Sequence, residues 1–595
     1  MFGAGGVVED FGGDVLNTIK SGIGTIIIFL LPALVVLGII LIRRTRKKNG
    51  LKTRSLFSPL RSKVRLFHSI VAIFVCVALF LVARVTTRIF NEKNYSDNFT
   101  FNVATEQFGL LTSTRISLNN SSNESEFITA DEVKAESDLG LDGSSYAQGE
   151  ADSLEEGKVY EDQVLDIDFE ELAVKEKDPE LADFYSFVAQ RNPTKENEYT
   201  GIFKDKNLIM ICAEAFDGSV VSEELTPTLY RMATKGIQMN EFYQPTWGGS
   251  TSSGEYSLLM GLIPTSGVLS MVETQNNNLW FTLGNQLREQ GYQSQAYHVG
   301  THDFYDRHLT HNNIGYDEFL AFGNGLEKIY ENSYGSSDKE LIANTLPLYI
   351  DADKFSTYIM AYSGHSPYDY PNKYTEMYMD IIEEYEPLKD APETIKNYYC
   401  KQYALEDAMS YLISELERVG IADDTVIAMC TDHYPYGLEE GDTWGNDQDY
   451  IQILKGLPDD YTVFERDRDV GFIWCGSLED MDPIIVDTPT SSLDFVPTLA
   501  NLFDIPFDSR LFAGRDMLAP DSTPIVTYST YSWISEHGYY DVSNKDFTPK
   551  LEDVIVLDQH IELMNAEANN QNAISAFVLN NDLYGILEEK GLLPH

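Results

Sequence analysis

Two long apolar runs near the N-terminus set the first constraint on how this 595-residue chain can fold. They cover residues 22–42 and 66–83, and a helix needs about 20 residues to cross the hydrocarbon core of a bilayer. Buried helices of soluble proteins rarely run this long without a charged residue. The sequence therefore predicts two transmembrane helices, over residues 22–42 and 66–88.

The loop between the two runs predicts their orientation. Residues 43–65 hold ten Lys and Arg and no acidic residue, and loops of this composition stay on the cytoplasmic side of the membrane. We therefore expect a basic cytoplasmic loop at 43–65, an external N-terminal segment at 1–21 and an external remainder. Residues 1–21 lack the positive start and the small-residue cleavage site of a signal peptide.

The remainder of the chain is strongly acidic. Residues 1–88 hold 13 of the 43 basic and 3 of the 93 acidic residues, which leaves 30 basic and 90 acidic residues for the rest. Such a surface repels a polyanion except at a local basic patch, which argues against a nucleic-acid-binding function. The five Cys, at positions 76, 212, 400, 430 and 475, include no C-x-x-C pair. This pattern argues against a disulfide scaffold and against a structural Cys-zinc site.

Three regions follow the second apolar run. Residues 89–200 are polar and acidic, as in NNSSNESE at 119–126, which is typical of a stalk or linker. Residues 201–545 form a predicted catalytic domain, and residues 546–595 a helical tail. Within the domain, short apolar runs predict strands at 207–212, 294–299, 356–362, 425–430, 469–475 and 524–530. Helical patterns lie between them at 226–236, 280–291, 395–420 and 493–503. Near-continuous apolar strands separated by helices predict an α/β fold, a mostly parallel sheet with helices on both faces.

Metal-compatible side chains follow several of these strands. Glu214 comes after the first strand, and Asp432 and His433 come after the strand at 425–430. His298 and His365 stand at the ends of two further strands. Each residue alone is more often a solvated or packed side chain. Together, two carboxylates and several imidazoles at the carboxyl ends of strands suit a divalent cation.

A hydroxyl-rich segment supplies a candidate nucleophile. Residues 244–262 read QPTWGGSTSSGEYSLLMGL, in which a Gly-Gly turn precedes Ser and Thr residues and a helical pattern from about Thr251. A hydroxyl at the N-terminus of a helix lies where unpaired N–H groups favour an anion. The residues alone also fit an ordinary Ser or Thr N-cap.

The ordered motifs NLIMICAEAF, WGGSTSSGEY, YHVGTHDFYDRH, TDHYPYG and DFVPTLANL resemble the sulfatase-like branch of the alkaline phosphatase superfamily. Within that branch, residues 200–535 are most similar to lipoteichoic acid synthases, the membrane-anchored phosphoglycerol transferases of Gram-positive bacteria. The resemblance implies an alkaline-phosphatase/sulfatase-like fold after the transmembrane helices. It also implies a place in the bacterial cell membrane, with the catalytic domain extracellular.

The resemblance assigns roles to individual residues. It implies that Thr251 is the nucleophile and that Mn²⁺, or Mg²⁺, is held by Glu214, Thr251, Asp432 and His433. It also implies that His298, Tyr305 and Arg307 bind the phosphoglycerol head group, and that His365 lies near the leaving group. Either His365 or His298 would give the departing alkoxide its proton.

The implied reaction takes glycerol phosphate from phosphatidylglycerol, an anionic membrane phospholipid, through a phospho-threonine. The acceptor would be a teichoic-acid-type polymer or a glycolipid at the cell surface. The motifs depart from the family pattern at three positions: Ser250 replaces Lys, Ser253 replaces Asp and Tyr305 replaces Trp. A phosphoethanolamine transferase, a phosphodiesterase and an inactive surface binding protein therefore stay open. No C/S-x-P-x-R segment follows the nucleophile, which argues against sulfate hydrolysis.

Overall fold

The computed structural model describes most of the chain after residue 159. The described residues are Phe127, 160–265, 268–439, 446, 448–520, 522–550 and 558–594. The predicted segments 1–21, 22–42, 43–65 and 66–88 lie outside them, as does the predicted stalk before residue 160 apart from Phe127. No helix within the described ranges is long and apolar enough to span a bilayer.

The strands of the described residues fall into three sheets. In chain order they are β1 Asn207–Ala213, β2 Ile237–Met239, β3 Phe242–Tyr243, β4 Gln293–Thr301, β5 Glu318–Phe322, β6 Phe355–Met360, β7 Thr425–Thr431, β8 Arg468–Asp469, β9 Phe472–Cys475, β10 Ile484–Val486, β11 Ile525–Thr527, β12 Trp533–Ser535, β13 Gly538–Asp541 and β14 Asp546–Pro549. The central sheet has the order β10-β2-β9-β7-β1-β6-β4-β5. Strand β9 runs antiparallel to its two neighbours, and the other pairs are parallel.

Most of the predicted strands therefore lie in one mostly parallel sheet, which confirms the predicted α/β fold. Two predictions differ in detail. The apolar run at 469–475 is divided between β8 and β9, and β9 runs against the sheet. The run at 524–530 contains β11, which belongs to a separate antiparallel sheet, β11-β12-β13-β14. An apolar run indicates a buried strand, but it does not specify direction or sheet.

Helices connect and cover these strands. In the described residues they are α1 Phe169–Lys175, α2 Pro179–Gln190, α3 Pro227–Lys235, α4 Thr251–Met260, α5 Ser270–Glu273, α6 Leu283–Glu289, α7 Arg307–Asn313, α8 Leu326–Ile329, α9 Asp338–Thr345, α10 Lys373–Glu384, α11 Glu393–Val419, α12 Tyr450–Lys455, α13 Val463–Arg466, α14 Phe495–Leu502, α15 Asp558–Asn581 and α16 Leu583–Glu589. The four predicted helices correspond to α3, α6, α11 and α14.

Side chains of β1 alternate between two hydrophobic cores, one on each face of the central sheet. Leu208 and Met210 belong to the first core, together with residues of α4 and α14. Ile209 and Ile211 belong to the second core, together with residues of α3 and α11. Every residue of β1 is buried, because successive side chains of a strand point to opposite faces and helices cover both.

Two predicted boundaries need correction. Residues 160–200, expected to belong to an acidic linker, include α1 and α2, and Phe184 of α2 stacks on Phe577 of α15 at a ring-centroid distance of 4.1 Å. Residues from 546 onward, expected to form a separate tail, supply strand β14 and buried side chains of the first core. The acidic residues of this segment suggested a linker, but α1, α2 and α15 also carry apolar side chains that are buried in one core.

Candidate active site

Two carboxylates meet at the carboxyl end of the central sheet. Strands β1 and β7 are parallel neighbours whose last residues, Ala213 and Thr431, are paired. The next residues, Glu214 and Asp432, therefore leave the sheet side by side. Both side chains are buried, with residue exposures of 5% and 1%. Two adjacent buried carboxylates repel each other, and either a cation or a proton between them relieves that repulsion.

His433 completes the cluster. Its Nδ1 is 2.9 Å from the carbonyl oxygen of Tyr434, so Nδ1 carries the proton and donates it there. Its Nε2 lies on the other side of the ring, 3.2 Å from Asp432 Oδ2 and 3.7 Å from Glu214 Oε1. One ligand atom from each of the three residues lies within 4.8 Å of the others. Three electron-pair donors thus face one another.

A cation fits this cluster for two reasons. Asp432 Oδ1 accepts hydrogen bonds from the N–H groups of Ala215 and His433, whereas the buried Oδ2 has no hydrogen-bond partner. Burial and the Asp432 carboxylate also raise the pKa of Glu214 well above its usual value. A divalent cation held between these donors would pair with Oδ2 and offset the repulsion. Carboxylate and hydroxyl oxygens with a single imidazole suit Mn²⁺ or Mg²⁺.

The hydroxyl group of Thr251 lies beside the cluster. Thr251 is the first residue of α4, and its Oγ1 is 3.4 Å from Glu214 Oε2 and 3.5 Å from His433 Nε2. Helix α4 can come this close because residue 254 has no side chain. A Cβ atom on Gly254 would overlap the backbone of Asp432. The structure therefore brings together all four residues that the sequence predicts as metal ligands.

The residue before Thr251 is held by a tyrosine that the sequence did not single out. Ser250 has a φ of 50°, in the left-handed region, and its Oγ is 2.9 Å from Tyr436 Oη. The Tyr436 ring packs on His433 at a centroid distance of 4.5 Å. The N-terminus of α4 is thereby tied to the loop that carries Asp432 and His433.

Arg307, predicted to bind substrate, is anchored by a buried carboxylate. Its Nε and Nη2 donate to Glu255 of α4 at distances of 2.7–3.1 Å, and both side chains are almost fully buried. Tyr358 Oη also donates to Glu255, at 2.9 Å, and His311 Nε2 lies 3.5 Å away. Burial acts in the opposite direction, but Arg307 and His311 hold the pKa of Glu255 below its usual range.

Glu255 was missed as a site residue, although its position carries a signal. It lies four residues after Thr251 in α4, so the two side chains share one face of the helix. The Nη1 group of Arg307 makes no hydrogen bond to Glu255. Helix α4 therefore sets the distance between the candidate nucleophile and this arginine.

The three other predicted residues surround this centre. Burial and the Arg307 charge lower the pKa of His298 to about 3, and its Nδ1 is 3.0 Å from the Met360 carbonyl oxygen. His365 is partly exposed and its Nδ1 is 2.6 Å from the Ser366 carbonyl oxygen. Burial lowers the pKa of His365, and Lys401 and His433 act in the same direction. The Tyr305 ring lies 5.2 Å from the Arg307 guanidinium.

A family model described as "Sulfatase" matches residues 206–505, which contain this entire centre. The chain belongs to the sulfatase family. The matched range begins just before β1 and ends after α14, so it covers the central sheet and the strand ends that carry Glu214, Asp432 and His433. The resemblance found in the motifs is thereby confirmed at the level of the family.

Individual relatives of this sulfatase-family chain are distant. The lipoteichoic acid synthase-like protein YvgJ of Bacillus subtilis is 24% identical over 420 residues, which cover 68% of this chain and 65% of that protein. The lipoteichoic acid synthase of Staphylococcus saprophyticus is 24% identical over 427 residues, covering 68% and 62%. The chain thus spans less than two thirds of the length of these relatives.

One solved structure has the same fold. The crystal structure of the lipoteichoic acid synthase LtaP from Listeria monocytogenes superimposes with a TM-score of 0.51 at 19% sequence identity, covering 65% of this chain and 96% of that one. At this identity the likeness establishes the fold and leaves the reaction to be argued from the site.

Proposed function

We propose that the chain is a membrane-anchored, metal-dependent phosphoglycerol transferase of the lipoteichoic acid synthase type. Its catalytic domain would face the outside of a bacterial cell membrane, as the positive loop at 43–65 predicts. The observation that carries the proposal is the position of Thr251 Oγ1, 3.4 Å from Glu214 and 3.5 Å from His433. A hydroxyl in that position is placed to become a nucleophile.

The cation would be held by Glu214, Asp432, His433 and the Thr251 oxygen. When bound, Mn²⁺ or Mg²⁺ supplies the positive charge that favours the alkoxide form of a hydroxyl group at neutral pH. The protein contributes the geometry. Ser250 and Tyr436 fix the first turn of α4, and Gly254 lets that turn approach Asp432.

The first step transfers phosphoglycerol to the enzyme. Thr251 Oγ1 forms a bond to the phosphorus of phosphatidylglycerol, and the ester bond between phosphorus and diacylglycerol breaks. The Thr251 hydroxyl gives its proton to solvent, the departing alkoxide takes a proton from His365, and the nonbridging oxygens face Arg307 Nη1 and the N-terminus of α4. In the second step, a hydroxyl group of a teichoic-acid-type polymer or a glycolipid gives its proton to His365 and attacks the same phosphorus. The bond between phosphorus and Oγ1 breaks, and Thr251 Oγ1 regains a proton from solvent.

His365 fits the role of proton donor better than His298 does. A pKa of about 3 keeps the buried His298 neutral at physiological pH. His298 can still orient substrate by hydrogen bonding, since its Nδ1–H is fixed on the Met360 carbonyl group. His365 is partly exposed and can exchange protons with solvent.

A donor screen tests the proposal. Full-length protein in detergent would be given fluorescent phosphatidylglycerol or phosphatidylethanolamine, with Mn²⁺ or with EDTA. We expect Mn²⁺-dependent release of diacylglycerol from phosphatidylglycerol. Thr251→Ala should abolish release, whereas Ser252→Ala, which removes the neighbouring buried hydroxyl, should keep most of it.

The other outcomes separate the alternatives. Release from phosphatidylethanolamine alone would assign the chain to phosphoethanolamine transfer. Release with water as the final acceptor, even when polymer or glycolipid is supplied, would make it a phosphodiesterase. No release from either lipid, together with no Mn²⁺ binding, would leave an inactive surface protein and overturn the proposal.

A further inference from the structure

A strained residue follows the candidate metal ligand Glu214. Ala215 has a φ of 48°, in the left-handed region that residues with a Cβ atom rarely adopt. The residue is buried, with an exposure of 2%. Such a conformation persists only where the surrounding structure holds it in place, and it is concentrated at functional sites. The contacts of Ala215 therefore identify what keeps Glu214 in position.

Three hydrogen bonds hold the peptide groups of Ala215. Its N–H donates to Asp432 Oδ1 at 2.8 Å. Its carbonyl oxygen accepts from Tyr398 Oη at 3.0 Å and from Gln402 Nε2 at 2.9 Å. Tyr398 and Gln402 are four residues apart on α11, so they lie on the same face of the helix. One face of α11 is thus hydrogen-bonded to the turn that follows strand β1.

Hydrogen bonds of this turn also involve the residues of both carboxylate ligands. Gln402 Nε2 is also 3.3 Å from the carbonyl oxygen of Glu214. Gly364 also lies against that oxygen, where a Cβ atom would overlap both it and Gln402 Nε2. The N–H of Ala215 occupies Asp432 Oδ1, which leaves Oδ2 facing His433. The left-handed turn therefore determines where the Glu214 side chain leaves the sheet and which Asp432 oxygen is available.

We infer that Tyr398 and Gln402 are positioning residues for the divalent cation, acting through the turn at Glu214 and Ala215. Neither side chain belongs to the group of ligand atoms formed by Glu214, Asp432 and His433. The inference rests on the proposed metal site. Partners of this kind, one step removed from the ligands, commonly change metal affinity by about 10–100-fold when they are lost.

The same helix offers a matched control. Tyr399 is the next residue, is 7% exposed, and its Oη donates to the Ser219 carbonyl oxygen at 3.0 Å. Tyr398→Phe and Tyr399→Phe each remove one hydroxyl that donates to a backbone carbonyl group. They differ in which carbonyl group loses its donor, because only Tyr398 contacts Ala215.

The experiment measures Mn²⁺ affinity and the electron paramagnetic resonance spectrum of bound Mn²⁺, using the full-length protein. Tyr398→Phe and Gln402→Met should weaken Mn²⁺ binding about tenfold or more and alter the spectrum. Tyr399→Phe should lower the melting temperature about as much as Tyr398→Phe, but it should bind Mn²⁺ as the wild type does. Equal affinities of all four proteins would overturn the inference.

A rescue variant tests the role of the strained turn. Glycine adopts a positive φ without a steric penalty, so Ala215→Gly should restore part of the Mn²⁺ affinity when added to Tyr398→Phe. No restoration would contradict the argument that the donors act by holding Ala215. A wild-type protein that binds no Mn²⁺ would instead overturn the proposed metal site, and the inference with it.

Discussion

Two buried clusters of carboxylates lie near Thr251 and differ in how their negative charge is balanced. The Glu255 cluster contains Glu255 and Arg307, and the metal-ligand cluster contains Glu214, Asp432 and His433. Glu255 is neutralised inside the protein, since Arg307 donates two of its N–H groups to it and Tyr358 adds a third donor. Glu214 and Asp432 both face His433 Nε2. No Lys or Arg in the described residues forms an ion pair with either carboxylate.

The Glu255 cluster therefore anchors a side chain, whereas the metal-ligand cluster is suited to binding a cation. A buried carboxylate with a complete set of donors contributes a fixed position, here that of Arg307 relative to α4. Buried carboxylates without a cation contribute affinity for one. The same helix carries Thr251 and Glu255, so it joins the two clusters. If this difference is real, substitutions in the Glu255 cluster and in the metal-ligand cluster should have opposite effects on stability.

The largest effect on stability is expected in the Glu255 cluster. Glu255→Gln leaves Arg307 buried without its counter-charge and should lower the free energy of unfolding by about 3–5 kcal/mol at pH 7. Urea unfolding of the full-length protein in detergent would measure it. Because the pKa of Glu255 is lowered in the folded state, this difference should shrink as the pH falls below the ordinary value of about 4.5. A pH-independent difference would contradict the ion-pair account.

The second prediction concerns metal binding by the metal-ligand cluster. Mn²⁺ at about one hundred times its dissociation constant should raise the free energy of unfolding by about 2.7 kcal/mol. Asp432→Asn removes a ligand charge and should abolish most of this gain. Asp508→Asn is the control, since Asp508 is buried but paired with Arg510 at 2.7 Å. It should keep the full Mn²⁺ response, and its loss there would show that the response is not local.

Removing one carboxylate from the metal-ligand cluster should change the free energy of unfolding in the opposite direction to Glu255→Gln. Without metal, Glu214→Gln should stabilise the protein at neutral pH, because the neutral amide removes a buried charge that faces the Asp432 carboxylate. The pKa of Glu214 is raised in the folded state, so its ionisation costs stability as the pH rises above about 4.5. The gain should therefore increase with pH when unfolding is measured in EDTA. A destabilised variant would contradict the repulsion.

The smallest expected effect concerns the two histidines. If His365 donates the proton, kcat/KM falls as the pH rises through its pKa, which burial places below the ordinary value of about 6.5. His365→Gln should remove this limb of the profile. His298→Gln should lower the rate but keep the limb, because His298 is already neutral across the range. The reverse result would exchange their roles.

Glu214, Asp432 and His433 could be singled out because parallel strands bring their carboxyl ends together, whereas the role of Thr251 came from the family resemblance. Glu214, Asp432 and His433 each follow an apolar run, and Thr251 follows a Gly-Gly turn. The contacts that hold them could not be predicted. Ala215 adopts its left-handed conformation through partners that lie 183 and 187 positions away in the sequence. Local propensity carries no information about such pairs.

Composition misled the prediction for residues 160–200 for a related reason. Both α1 and α2 carry acidic residues, but Phe169, Phe184 and Phe187 are buried in the first core. Their partners include Phe577 in α15, close to the other end of the chain. A segment that looks like a linker by average charge is thus part of the domain, because a few apolar side chains meet a distant helix.

The most direct test of the account is to locate the covalent intermediate. Full-length protein would be mixed with phosphatidylglycerol and Mn²⁺ without an acceptor, quenched in acid and mapped by peptide mass spectrometry. The account predicts a phosphoglycerol adduct on Thr251 that is absent in EDTA and absent in Thr251→Ala. An adduct on Ser252, or diacylglycerol release with no adduct in the peptide containing Thr251, would contradict it.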